Sequence, residues 1–75
     1  MSYEELREIL ISLGLPEDEI RPEATREDAG LDSLAVVELA LVLRREKGLA
    51  VSEDELAATS TVAEVAALVA ARCPA

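Results

Sequence analysis

Histidine, tryptophan and phenylalanine are absent from this chain, tyrosine and cysteine occur once each as Tyr3 and Cys73, and glycine occurs three times. Each absence removes a class of function. Without histidine the usual general base at neutral pH is missing, and without a cysteine or histidine cluster so are the usual transition-metal sites. No glycine-rich loop is present to cradle a nucleotide phosphate. A single aromatic residue leaves almost nothing on which bases or sugars could stack. Catalysis by this chain alone is therefore not expected. Cys73 cannot form a disulfide within the monomer, reads as a free surface thiol and suits a reducing cytoplasm. No apolar run approaches the roughly 18 residues of a membrane span, and the acidic N-terminus does not resemble a secretory signal, so the expectation is a cytoplasmic protein without membrane insertion.

Basic side chains are also scarce: seven against sixteen acidic ones, a formal charge of −9. That balance repels nucleic acid and anionic lipid and favours partners with basic patches. What the chain does have is apolar mass. Hydrophobic residues make up 51% of its 75 positions, enough for one small domain over residues 1–75 built around one core.

The apolar positions are spaced for helices. Ser2 and Glu5 have the spacing of a capping box, followed by Leu6, Ile9, Leu10 and Leu13 at the i, i+3, i+4, i+7 intervals of one helical face. Gly14 and Pro16 end this first helix. From Leu15 to Leu31 the periodicity disappears among prolines and acidic residues, predicting one long loop pinned across the core by Leu15, Ile20 and Leu31. A second helix begins with Asp32 or Ser33 near the N-cap and runs to Lys47, with Gly48 just beyond it and Arg44, Arg45 and Lys47 against the negative end of its dipole. Ser52 with Glu55 opens a short third helix through Leu56 and Ala57. Thr61 with Glu64 opens a fourth, carrying Val62, Val65, Ala66 and Val69 as far as Arg72, with Pro74 beyond.

The second helix is the unusual one. Between Leu34 and Leu43 only Glu38 is polar, so more than one face is apolar. Assigning Val36, Leu39, Ala40 and Leu43 to the core leaves Leu34, Val37 and Leu41 with Glu38 on a second face, which either docks a partner or packs under the long loop. At the head of this face stand Asp32 and Ser33. A hydroxyl there meets free backbone N–H groups and the positive end of the helix dipole, an environment that favours a phosphate ester. Asp and Ser are also common N-caps, so the pair alone decides little. The other helices open on a Ser or Thr box, whereas Asp32 leaves the Ser33 hydroxyl uncommitted.

The stretch Gly30, Leu31, Asp32, Ser33, Leu34, followed by Val37, Glu38 and Leu39, resembles the signature of acyl carrier proteins, and the likeness extends over nearly the whole chain. It implies an all-α, four-helix bundle with three longer helices, one short helix and a long loop between the first two. It implies that a phosphopantetheinyl transferase moves a phosphopantetheine arm from coenzyme A to Ser33, with Asp32 and Leu34 beside the attachment point. The arm's thiol would carry acyl groups as thioesters. By the same resemblance, Asp32, Leu34, Val37, Glu38 and Leu41 are contacted by partners such as ketosynthases and acyltransferases, and the chain is a monomeric carrier. Growing cargo could fold among the helices beside Ala40, Ala66 and Ala67.

Several positions depart from the family's habit. Arg44 and Arg45 stand where an acidic helix end is common, while Ala29 and Thr25 replace bulkier apolar anchors. These changes lead to the expectation of a more loosely held loop, and of a stand-alone carrier of a polyketide or other specialised pathway rather than the housekeeping fatty-acid carrier. Two rivals remain. One is a free-standing peptidyl carrier with aminoacyl cargo, against which Asp32 argues, since those proteins more often have Gly followed by an aromatic or small residue at that place. The other is an unmodified acidic helical adaptor binding through Leu34, Val37 and Leu41.

Overall fold

A computed structural model describes residues 2–72. Its elements are α1 (Tyr3–Ser12), a 3-10 turn (Glu17–Glu19), α2 (Ser33–Lys47), α3 (Glu53–Ala57) and α4 (Val62–Arg72). This is the four-helix all-α arrangement that the periodicity predicts, closed around one core. Cys73 and Pro74 lie outside the described residues.

Each helix starts where a side chain can satisfy its first N–H groups. Ser2 and Ser52 both form complete capping boxes, Ser2 with Glu5 and Ser52 with Glu55. At α4 the expected box is displaced by one residue. Thr61 Oγ1 accepts from Glu64 N at 3.2 Å, but the Glu64 carboxylate reaches back to Ser60 N at 2.9 Å. The neighbouring donors are taken by the loop, with Val62 N on Ala24 O and Ala63 N on Pro22 O, both at 2.9 Å. The start of α4 is thus capped by a distant stretch of chain, which periodicity cannot foresee. At the other end of α2, Gly48 takes φ +67°, and Leu49 N returns to Leu43 O at 3.0 Å. That left-handed turn favours glycine.

The core comprises Leu6 and Leu10 of α1, Ala35, Val36, Leu39 and Leu43 of α2, Leu56 of α3, and Val62, Val65 and Val69 of α4, together with Leu49 and Val51 from the α2–α3 link. Among the described residues no polar or charged side chain is buried. The sequence assignment of α2 is off by one small residue: Ala35 is buried, and Ala40 only partly so. Ala67 is exposed, so it cannot line space between the helices.

The long connection is more structured than the expected loop. Leu15, Ile20 and Leu31 are buried as predicted, and Ala24 and Ala29 join them. Tyr3 Oη and Arg7 Nε both donate to Ile20 O, at 3.3 and 3.4 Å, tying α1 to the middle of the connection. Thr25 pairs with Thr61 in an isolated antiparallel bridge, and its hydroxyl accepts from Asp28 N at 3.1 Å. The connection is thus hydrogen-bonded and buried at several points where the sequence predicts a looser loop. Ala29 is fully buried although its side chain is small, and Thr25, which is exposed, accepts from Asp28 N and Ala29 N within its own turn and pairs with Thr61. Gly30, with φ +86°, makes the turn that delivers Leu31 into the core and Asp32 to the surface.

Candidate functional site

The start of α2 is built by a division of labour between two adjacent residues. Asp32, with extended backbone, is the N-cap: its Oδ1 accepts from Ala35 N at 2.9 Å, and its carbonyl accepts from Val36 N at 2.9 Å. Ser33 is the first helical residue, exposed, and its hydroxyl has no hydrogen-bond partner among the described residues. The N–H groups of Ser33 and Leu34 likewise have no acceptor among the described residues, as expected for the first turn of a helix. A 15-residue helix thus presents a free hydroxyl, two free donors and the positive end of its dipole at one exposed spot. Those are the properties that suit a phosphate ester on Ser33 Oγ.

Of the residues singled out from the sequence, Leu34, Val37 and Leu41 are indeed exposed, at 66%, 37% and 50%; they do not pack under the connecting loop. Glu38 is exposed among them. At the i, i+3, i+4, i+7 spacing these four form one ridge along α2, running from Ser33 toward Arg44 and Arg45.

The ridge has a groove on each side, which the sequence did not disclose. Asp32, Leu34 and Glu38 border a groove of about 220 Å³ shared with Leu13, Leu15 and Gly30. Farther along that flank, Glu38, Leu41 and Arg45 border a larger one of about 540 Å³, with Leu13, Val42 and Glu46. Toward α3, Ser33 and Val37 border a groove of about 310 Å³ together with Arg26, Val36, Glu53, Asp54 and Ala57. Ser33 therefore faces α3, while Asp32 and Leu34 face α1 and the connecting loop.

Sequence reasoning missed Arg26, Glu53 and Asp54. Arg26 lies in the acidic connecting loop with no local pattern to mark it, and only the fold brings it to the groove that Ser33 borders. Two carboxylates elsewhere sit below their ordinary pKa. Glu5 is lowered chiefly by the Ser2 backbone N–H, and Glu55 by the Ser52 backbone N–H and then by Arg72. Both belong to helix caps, away from the Ser33 groove.

The pattern of the family described as "Phosphopantetheine attachment site" matches residues 4–69. An acyl carrier protein of Saccharopolyspora erythraea is 40% identical over 65 residues, covering 84% of this chain and 68% of that protein. No solved structure matches the chain.

Proposed function

The chain belongs to the acyl carrier protein family, whose members bear phosphopantetheine, and on that premise we propose that Ser33 is the attachment point of the arm and that the ridge of α2 presents it to partner enzymes. The observation that carries this reading is the split at the helix start, where Asp32 does the capping and Ser33 keeps an exposed hydroxyl without a partner.

A phosphopantetheinyl transferase forms the bond from Ser33 Oγ to phosphorus. The bond from that phosphorus to the bridging oxygen of the coenzyme A diphosphate breaks, adenosine bisphosphate leaves, and the hydroxyl proton is lost. When bound, the arm supplies a terminal thiol that carries acyl groups as thioesters. Proteins of this family are carriers rather than catalysts, and here the chain's own residues attach, orient and present. Tethering keeps the cargo at high local concentration near successive active sites.

Leu34, Val37 and Leu41 supply an exposed aliphatic strip for docking, and Glu38 a charge within it. Ketosynthases, acyltransferases and the transferase are the partners this strip suits. Arg44 and Arg45 at its far end give it mixed rather than purely acidic charge, which favours a polyketide or other specialised pathway over housekeeping fatty-acid synthesis. The protein acts as a monomeric carrier domain over residues 1–75 in the cytoplasm. A peptidyl carrier is disfavoured by the residue type at position 32, an Asp where such proteins more often have an aromatic or small residue.

The test is intact mass after incubation with coenzyme A and a promiscuous phosphopantetheinyl transferase. The proposal expects a gain of one arm. An unchanged mass would favour the alternative of an unmodified adaptor that binds through the α2 ridge alone.

A further inference from the structure

Arg26 is the most heavily engaged residue of the connecting loop. Its backbone N–H donates to Ser60 O at 3.0 Å, and its carbonyl accepts from Leu31 N at 2.7 Å. Its guanidinium donates through Nε to Thr59 O at 2.6 Å, through Nη2 to Ala57 O at 3.0 Å and through Nη1 to Leu31 O at 3.4 Å. Both polar groups of Leu31 therefore end on Arg26, and Leu31 lies two residues before Ser33. The same side chain holds the end of α3 through Ala57 O, so the guanidinium is fixed between Leu31 and the end of α3, on the groove that Ser33 borders.

Its partners are all neutral carbonyls. Arg7, Lys47 and Arg72 each have a carboxylate at ion-pair distance, in Glu17, Glu5 and Glu55. Arg26 has none among the described residues, as is also true of Arg21, Arg44 and Arg45, but of these four only Arg26 borders the groove at Ser33. A guanidinium carries five N–H donors; three are spent on carbonyls and two remain. Arg26 is also the one cation bordering the groove at Ser33, where the other charged residues are Glu53 and Asp54. A phosphodiester on Ser33 would enter a groove rimmed by two carboxylates, and Arg26 is the one cationic side chain on that rim to oppose the repulsion, alongside the free N–H groups of the first turn of α2. Arginine suits the task because its planar fork pairs with phosphate oxygens through charged hydrogen bonds.

The geometry points to Arg26 as the counter-ion of the arm's phosphate, a fixed cation on the α3 side of the Ser33 groove that holds the phosphodiester against the repulsion of Glu53 and Asp54. This rests on the attachment of the arm to Ser33. It makes Arg26 a positioning residue that orients the root of the arm toward α3 rather than toward the Leu34 and Glu38 flank.

The experiment compares each protein with and without its arm. Apo and holo forms of the unaltered chain, Arg26→Gln and Arg26→Lys are melted at low salt, and the holo-minus-apo difference in midpoint is taken for each. A purely structural Arg26 lowers both forms equally and leaves that difference unchanged. As counter-ion, its loss in Arg26→Gln makes the difference less favourable by several degrees, the scale on which a charged hydrogen bond moves a domain this small. Arg26→Lys restores part of it, and added salt shrinks the effect. Should Arg26→Gln fail to fold, the unaltered chain still decides: the Arg26 Nε–H resonance must move between apo and holo forms. A loaded protein whose Nε–H resonance and midpoint difference are both indifferent overturns the counter-ion alone. An unaltered chain that takes up no arm sinks the attachment reading first.

Discussion

The starts of α2 and α3 use the same residue type for opposite ends. At α3, Ser52 is the N-cap and its hydroxyl accepts from Glu55 N at 3.1 Å, while the Glu55 carboxylate accepts from Ser52 N at 3.1 Å. At α2, Asp32 takes the cap and Ser33 stands one position inside the helix with its hydroxyl unclaimed. A serine that closes a hydrogen-bonded box is occupied by the fold, and one relieved of capping by the residue before it is available to another molecule. The helices also differ in length: five residues in α3 and fifteen in α2. Only the longer gives its first turn a full dipole and a ridge leading away from the hydroxyl.

Exchanging the two serines for alanine should separate these jobs most sharply. Ser33→Ala is expected to abolish arm attachment in an intact-mass assay while unfolding free energy stays within about 0.5 kcal/mol, since an exposed side chain without partners is removed. Ser52→Ala should load normally and lose about 1 kcal/mol in a denaturant titration, the usual cost of an N-cap. A loading defect in Ser52→Ala, or a large stability loss in Ser33→Ala, would erase the distinction.

Asp32 sharpens the comparison because it has two tasks in one side chain. Asp32→Ala should cost about 1 kcal/mol by loss of the cap, whereas Asp32→Asn keeps a capping oxygen and should cost only a few tenths. If the transferase reads the charge, both variants load more slowly in a timed assay. If Asp32→Asn loads at the normal rate, Asp32 serves the helix alone.

Glu38→Lys is expected to reduce transferase or ketosynthase turnover several-fold with stability within about 0.5 kcal/mol. Unaltered kinetics with every partner would remove Glu38 from the docking ridge. The smallest effect lies at the capping boxes. Glu5 and Glu55 have folded-state pKa values below the ordinary carboxylate value, so their contribution is present above that value and is lost as pH falls through the lowered folded pKa. Glu55→Gln should therefore flatten the loss of stability on acidification below about pH 4. An identical acid profile in that variant would mean that the Ser52 box and Arg72 give the carboxylate no net preference for its charged form.

Much of this was legible in the chain before its fold, and the exceptions share a cause. Boxes at Ser2 and Ser52, the end of α2 at Gly48 and the exposed trio Leu34, Val37 and Leu41 are local patterns, decided within a turn or two of helix. The displaced cap at Thr61, the anchoring of Thr25 and the burial of Ala24 and Ala29 depend on the connecting loop meeting α4 across the core. No spacing rule encodes that meeting. Arg26 is the extreme case: its partners Ala57 and Thr59 are more than thirty positions away in the chain. The candidate site was therefore half visible, as Asp32, Ser33 and the ridge of α2, while the wall facing Ser33 emerged only with the fold.

The most direct test of the central claim is to locate the arm by fragmenting the loaded protein in a mass spectrometer. The chain has five serines, Ser2, Ser12, Ser33, Ser52 and Ser60, which gives the modification four other hydroxyls of the same kind to choose from. The account predicts the whole of the added mass on the fragment containing Ser33 and none on any other. An arm on Ser2, Ser12, Ser52 or Ser60, or a full mass gain in Ser33→Ala, would contradict it.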